Sequence, residues 1–368
     1  MVIAGAGMAG LCVAARAREL GATPLVLEKG DRPGGSMLLS SGVIWRYRSF
    51  GEFRAQCPGG DPALQRLVFG RLDDALAWLE SLGAPVVERG TRNPLTTGIR
   101  FDPRGLTEAL VRAAGDVRLR QPVRFGHGRG TVPRTWPKET VVLATGGFQG
   151  DRGLVERYVR PAAPLRLRAN PWSAGDGLRL ALEGGAALSN GLDEFYGRNM
   201  ADVDLGESDF VPLAQVYGRY ARVFNERGEE FFDREASWSE LDLVQATARQ
   251  PDARAWYVLG EQALEQRVRD RPVRDIVAEA PTRTDPAELP FPPPEGAVVA
   301  VRVAAAITHT IGGLRVDEAA RVLEEDGTPL DGLHAAGADA GGISTGGYAS
   351  GLASALVLGL AAAESATR

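Results

Sequence analysis

The chain has 368 residues, 44% apolar and 24% charged, an ordinary globular balance that excludes disorder over most of its length. At about 150 residues per domain, that length predicts two domains. The net charge of −5 advertises neither a nucleic-acid-binding nor an anionic-membrane surface. No apolar run reaches the roughly 18 residues of a membrane span, and no basic leader with a cleavage site opens the chain, so the expected location is cytoplasmic. Cys12 and Cys57 are too few for a disulfide framework, and with His127, His309 and His334 they predict no metal site. The 46 glycines are an excess, and they gather in short clusters that point to close backbone approach to a ligand.

In chain order, Met1–Ala4 predicts a strand, Gly5-Ala6-Gly7-Met8-Ala9-Gly10 a tight turn, and Leu11–Leu20 a helix. Pro24–Leu27 predicts a second strand that ends at Glu28. Strand, glycine turn, helix, strand and terminal carboxylate form the dinucleotide fingerprint. Gly5, Gly7 and Gly10, with Met8 and Ala9, would admit a pyrophosphate to the helix N-terminus. Glu28 lies 28 − 10 = 18 residues beyond the last glycine, near the usual acceptor of a ribose hydroxyl. In NAD dehydrogenases a crossover helix follows more directly, whereas here Lys29 leads into Gly34-Gly35-Ser36 and then Ser40-Ser41-Gly42. Val141–Leu143 predicts a buried strand that closes on Ala144-Thr145-Gly146-Gly147. A further cluster, Ala335–Asp339 with Gly341-Gly342, leads towards an alanine-rich helix near the C-terminus. These clusters resemble those of FAD-binding two-dinucleotide-domain flavoproteins, a resemblance that implies FAD, and the absence of a second GxGxxG unit argues against direct use of NAD(P)H.

The ordered motifs resemble the fumarate reductase/succinate dehydrogenase flavoprotein superfamily, whose relatives include 3-ketosteroid Δ1-dehydrogenases and urocanate reductase. Besides the clusters above, the resemblance is carried by Ala174-Gly175-Asp176-Gly177, Phe224–Gly228, His309-Thr310-Ile311-Gly312-Gly313 and Gly332–Gly337, and it spans nearly the whole chain. It implies an α/β fold: a discontinuous Rossmann-like FAD-binding domain, residues 1–190 and 304–368, with a smaller α+β capping domain, residues 191–303, inserted between them. The cap is short for the superfamily, as is the segment His127–Glu139, where relatives carry a longer β-meander. FAD would be bound non-covalently, since no histidine precedes residue 127 to serve as an early attachment point. The resemblance adds Asp176, Gly337 and Asp339, the last on the ribityl chain, to the cofactor-binding residues. It also places Gly351, Ala353 and Ser354 at the flavin N1–O2 edge, where a helix dipole would favour reduced flavin.

For the chemistry, the complete His-Thr-x-Gly-Gly match implies that His309, with Thr310 beside it, meets a substrate carboxylate; a buried structural histidine is the other reading. Three departures stand against a dicarboxylate substrate. The arginine proton donor of fumarate reductases would fall near Trp238, and Arg234 comes several residues early. Tyr348 stands where a second arginine is expected, and the stretch Glu194–Arg198 lacks the expected histidine. Tyr348 instead resembles a tyrosine that polarises the ketone in 3-ketosteroid dehydrogenases, and its hydroxyl could donate to a developing enolate; a packing role is the alternative. Tyr196 and Arg198 are further cap candidates for substrate binding. The expected function is therefore a FAD-dependent oxidoreductase that desaturates a small organic substrate beside a carbonyl or carboxylate, with hydride passing to flavin N5. Ene-reduction of the fumarate or urocanate type, or a flavin-binding protein with reduced catalysis, are the alternatives. The expected partners are the small-molecule substrate and an electron acceptor or donor that the sequence does not identify.

Overall fold

The central strand of the computed structural model, Val2–Ala4, pairs in parallel with Leu25–Leu27 on one side and Val141–Leu143 on the other. A strand flanked on both sides and covered on both faces has to be apolar, and Ile3, Val26 and Val142 are fully buried. The described residues are 1–123, 140–162 and 164–368, so the expectation for His127–Glu139 lies outside them. Packing divides the chain into two units. The first comprises Met1–Leu154, Asn170–Phe195 and His309–Arg368; the second comprises Val155–Ala169 and Tyr196–Thr308.

In the first unit the sheet order is Arg321–Leu323, Pro329–Ala335, Val141–Leu143, Val2–Ala4, Leu25–Leu27, Val117–Arg118. All neighbours are parallel except the antiparallel edge strand Arg321–Leu323. This is the Rossmann-like α/β architecture that the glycine fingerprint predicted. The first helix, Met8–Glu19, starts three residues earlier than the sequence reading because Gly7 itself is its N-cap. The C-terminal helix Gly351–Ala366 packs against it. A side chain at Gly359 would come within 2.9 Å of the Ala9 carbonyl oxygen and 3.1 Å of Cys12 Cβ, so glycine sets that helix–helix distance. Burial pushes the Cys12 thiol far up, which leaves it an inert core residue. A small antiparallel sheet, Val43–Tyr47, Thr96–Phe101 and Val86–Arg89, completes the unit and carries several aromatic residues of the site below.

The second unit is built on a seven-stranded sheet whose main path runs Glu230–Phe232, Arg222–Phe224, Arg254–Leu259, Val299–Thr310, Arg283–Thr284. Residues 155–169, which the sequence reading placed in the first segment of the FAD-binding domain, join this unit. The reason is that Arg166 and Leu167 pair in parallel with Ala306 and Ile307 of the long strand. The core of the unit centres on Tyr217, Tyr257, Leu243, Val273 and Val301.

Candidate cofactor and catalytic site

The glycine turn of the first unit is shaped by its own backbone. A side chain at Gly5 would collide with the Ala144 carbonyl oxygen, and one at Gly10 with the Gly5 carbonyl oxygen. A Cβ on Gly7 would instead meet nothing within 4 Å, and no side chain caps the helix that starts at Met8. The first-turn amides therefore open onto free space at the positive end of a helix, a donor set suited to a pyrophosphate. With open space at Gly7 and no side chain capping the first turn of the helix, the residues present fit the diphosphate of FAD.

Glu28, 7% exposed, accepts from the Ala6 amide at 2.8 Å and the Gly30 amide at 2.6 Å. A carboxylate has about four lone-pair sites, so Glu28 can fix the turn and still accept a ribose hydroxyl. Lys29 pairs with Asp176 at 2.5 Å on the exposed side of the same region. Gly35 and Ser36 lie beside Asn170: a Cβ on Gly35 would sit 3.7 Å from the Asn170 side-chain Nδ2, and the Asn170 backbone N–H points to the Ser36 hydroxyl at 3.5 Å. The Ser40 hydroxyl donates to the Met37 carbonyl and accepts from the Gly42 amide at 3.0 Å, while Ser41 offers its carbonyl to Arg100. These two serines thus hold the turn in its present shape.

Asp339 is almost wholly buried. Its carboxylate accepts from the Thr145 amide, from the Thr145 hydroxyl at 3.0 Å and from the Gly147 amide at 3.0 Å. Burial raises its pKa, and these hydrogen bonds oppose the rise. The carboxylate expected on the ribityl chain thus ties the Ala144–Gly147 turn to the segment that starts at Gly337. A side chain at Gly146 would meet the Ser173 hydroxyl at 2.6 Å. One at Gly147 would meet the Thr310 hydroxyl at 2.8 Å and the Gln149 side-chain oxygen Oε1 at 2.9 Å. Gly147 is therefore glycine because protein side chains crowd it and its φ is +81°.

His309 lies against the start of the C-terminal helix, with Nε2 3.2 Å from where a Gly351 Cβ would be. Ser350 caps this helix by accepting from the Ala353 amide, and the Ser354 hydroxyl turns back to the Ser350 carbonyl. His309 Nδ1 is 3.0 Å from the Thr310 carbonyl oxygen. A carbonyl can only accept, so in the neutral ring Nδ1 carries the proton and Nε2 carries the lone pair. Burial lowers the His309 pKa, opposed by that same backbone bond, and so favours the neutral ring.

The Tyr348 ring centroid is 6.1 Å from that of His309 and 5.6 Å, edge-on, from that of Trp45. His309, Thr310, Tyr348 and Gly351 all belong to the first unit, where His309 lies beside both Tyr348 and Gly351. Tyr196 and Arg198 belong to the second unit. There the Arg198 guanidinium lies 5.5 Å from the Tyr196 ring centroid and donates to the Ser239 carbonyl at 2.5 Å. The segment that it grips includes Trp238, where the resemblance expected the arginine donor.

The sequence reading missed Trp172, Trp45, Tyr47 and Glu194. A side chain at Gly30 would run into the Trp172 ring, which the Arg32 guanidinium approaches at 5.3 Å. The proximity of Trp172 to the Ala174–Gly177 motif was the available signal. Trp45 and Tyr47 sit on a strand just after the Ser40–Gly42 turn, but nothing local tied them to Tyr348.

The family described as "FAD binding domain" matches residues 83–354, and a "NAD(P)-binding Rossmann-like domain" matches residues 3–41. The "Fumarate reductase (cytochrome)" of Shewanella frigidimarina is 24% identical over 93% of this chain and 72% of its own length. Among solved structures, the open conformation of a flavocytochrome c3 fumarate reductase is similar over 100% of this chain and 77% of its own, with TM-score 0.75 and 22% identity. The 3-ketosteroid Δ1-dehydrogenase of Sterolibacterium denitrificans is similar over 100% of this chain and 98% of its own, with TM-score 0.73 and 17% identity.

Proposed function

The chain belongs to the FAD binding domain family, and from that premise we propose that it desaturates a small organic substrate at the C–C bond next to a carbonyl. As a member of that family it is a FAD-dependent oxidoreductase. The substrate and the direction of reaction are the proposal. When bound, FAD supplies the two-electron acceptor. It would be held non-covalently by the Gly5–Gly10 turn, Glu28, the Gly35–Gly42 segment and the Ala144–Gly147 turn.

The observation that carries the reading is the meeting of Tyr348 and His309 at the N-terminus of the C-terminal helix. The Tyr348 hydroxyl would donate to the substrate carbonyl oxygen as enolate character develops. His309 Nε2, held as an acceptor by the Nδ1–H bond to Thr310, would take or hold a proton. Ene-reduction in the opposite direction is the second reading, favoured by the similarity to the fumarate reductase of Shewanella frigidimarina.

Two experiments test the proposal. Acid precipitation should release the flavin into the supernatant; flavin retained in the pellet would overturn non-covalent binding. In the second, oxidised protein is mixed anaerobically with cyclic ketones, enones and saturated acids. Bleaching of the flavin by a saturated ketone is expected, whereas rapid reoxidation of photoreduced protein by fumarate would reverse the assignment. On the ketone that reacts, Tyr348→Phe should slow flavin reduction about 10²–10³-fold with FAD binding intact. An unchanged rate would remove Tyr348 from the chemistry.

A further inference from the structure

The turn that carries Tyr348 is gripped at both ends by side chains that no motif assigns. The Gly346 amide donates to Glu194 Oε2 at 2.7 Å, and the Tyr47 hydroxyl donates to the Tyr348 carbonyl at 2.7 Å. Between these points, a side chain at Gly347 would run into the Gln56 carbonyl oxygen, so the turn has no room to slide. Tyr47 is itself fixed by ring contacts with Phe53, centroids 5.5 Å apart, and with Trp45, 5.3 Å apart. We propose that Glu194 and Tyr47 are positioning residues that fix where the Tyr348 hydroxyl points, an inference that rests on the reading of Tyr348 as the carbonyl donor.

The physical case is one of tolerance. A donor to a developing oxyanion acts only within hydrogen-bond distance of the place where charge appears, and a displacement of about 1 Å costs on the order of 10²-fold in rate. Tyr348 is half-buried and lies outside any helix or strand, so no backbone ladder holds it. The Glu194 carboxylate and the Tyr47 hydroxyl take over that task. Each acts on the main chain of the turn and not on the phenol of Tyr348.

The test uses the FAD-loaded protein and four variants: Glu194→Ala, Glu194→Gln, Tyr47→Phe and Tyr348→Phe. Phenylalanine at 47 keeps the ring contacts and removes only the donor; glutamine at 194 keeps an acceptor for Gly346. Hydrogen–deuterium exchange across residues 344–350 should quicken about tenfold in Glu194→Ala and in Tyr47→Phe, and stay near wild type in Glu194→Gln. Unchanged exchange in the first two would overturn the clamp without any need of a substrate. With the ketone identified by the bleaching experiment, Glu194→Ala and Tyr47→Phe should lower kcat about tenfold and leave KM unchanged. In the Tyr348→Phe background neither change should slow the enzyme further. Additive losses there would also overturn the clamp, whereas an unaffected Tyr348→Phe would instead sink the reading of Tyr348 on which it rests.

Discussion

Buried carboxylates are satisfied differently in the two units of this protein. In the first, Glu28 and Asp339 are bonded to backbone amides of glycine turns, with a threonine hydroxyl added at Asp339. In the second, the Asp202 side chain, 2% exposed, meets Arg254 at 2.8 Å, Arg166 at 2.9 Å and Arg302 at 3.5 Å. Glu240, also buried, combines the two: it accepts from the Arg219 backbone amide at 3.2 Å, and the charges of Arg198 and Arg219 also oppose the upward shift that burial imposes on its pKa. A carboxylate on backbone amides dictates the path of a loop and so can shape a ligand site. A carboxylate among long, flexible cations braces strands against one another and leaves loop shape free. The first arrangement suits a cofactor whose outline does not change, and the second suits a scaffold.

That contrast can be broken at several points. The largest effect is expected from Gly10→Val, which drives a side chain into the Gly5 carbonyl and should yield protein without bound flavin. Flavin absorbance relative to protein absorbance checks this, and full FAD content would show that the turn can yield. Next comes Asp202→Asn, which leaves three arginines facing a neutral amide. Allowing for the partial exposure of those arginines, the loss should be about 2–3 kcal/mol in denaturant unfolding, with FAD affinity little changed. Glu28→Gln should do the reverse. It keeps one acceptor and loses the charge, so FAD affinity should fall by about 1.5–3 kcal/mol in apoprotein titration. Equal affinity would place the ribose contact elsewhere.

The smallest effect sharpens the comparison through pH. His334 lies under the C-terminal helix, with Nε2 3.1 Å from the Ser365 hydroxyl, and burial lowers its pKa to about 4. Its folded pKa is below the unfolded value, so the unfolded chain binds more protons as pH falls. Stability should therefore decline from about pH 6.5 downward, by about 2 kcal/mol at pH 5. No histidine falls within residues 155–169 or 196–308, so this loss belongs to the first unit alone. Thermal unfolding of His334→Gln between pH 6.5 and 5 should show a flatter dependence. An unchanged slope would assign the acid sensitivity to other groups.

Much of the first unit was legible in the sequence because its constraints are local. A glycine turn between an apolar strand and a helix announces itself in ten residues, and the helix N-terminus then defines the chemistry that it can receive. For the same reason the Gly34–Gly42 and Ala144–Gly147 segments stand out in the sequence, and in the structure Ser40 and Asp339 hold these turns together. Alignment to the superfamily's motifs brought out His309 and Tyr348, but not which nitrogen of His309 is the acceptor. That follows from the Thr310 carbonyl beside Nδ1, a geometry that no spacing encodes.

What the tertiary structure alone decided are the pairings between segments far apart in the chain. Residues 155–169 belong to the second unit because two of them form a parallel pair with a strand some 140 residues further on, 306 − 166 = 140, and periodicity carries no information about partners at that range. Trp45 and Tyr47 read locally as ordinary strand aromatics, and Glu194 as one acid in a mixed stretch; only folding sets them around Tyr348. The physical reason is the same in each case. Strand, turn and helix preferences are properties of a few neighbouring dihedrals, whereas the orientation of a hydroxyl is fixed by contacts whose closure the whole chain has to satisfy at once.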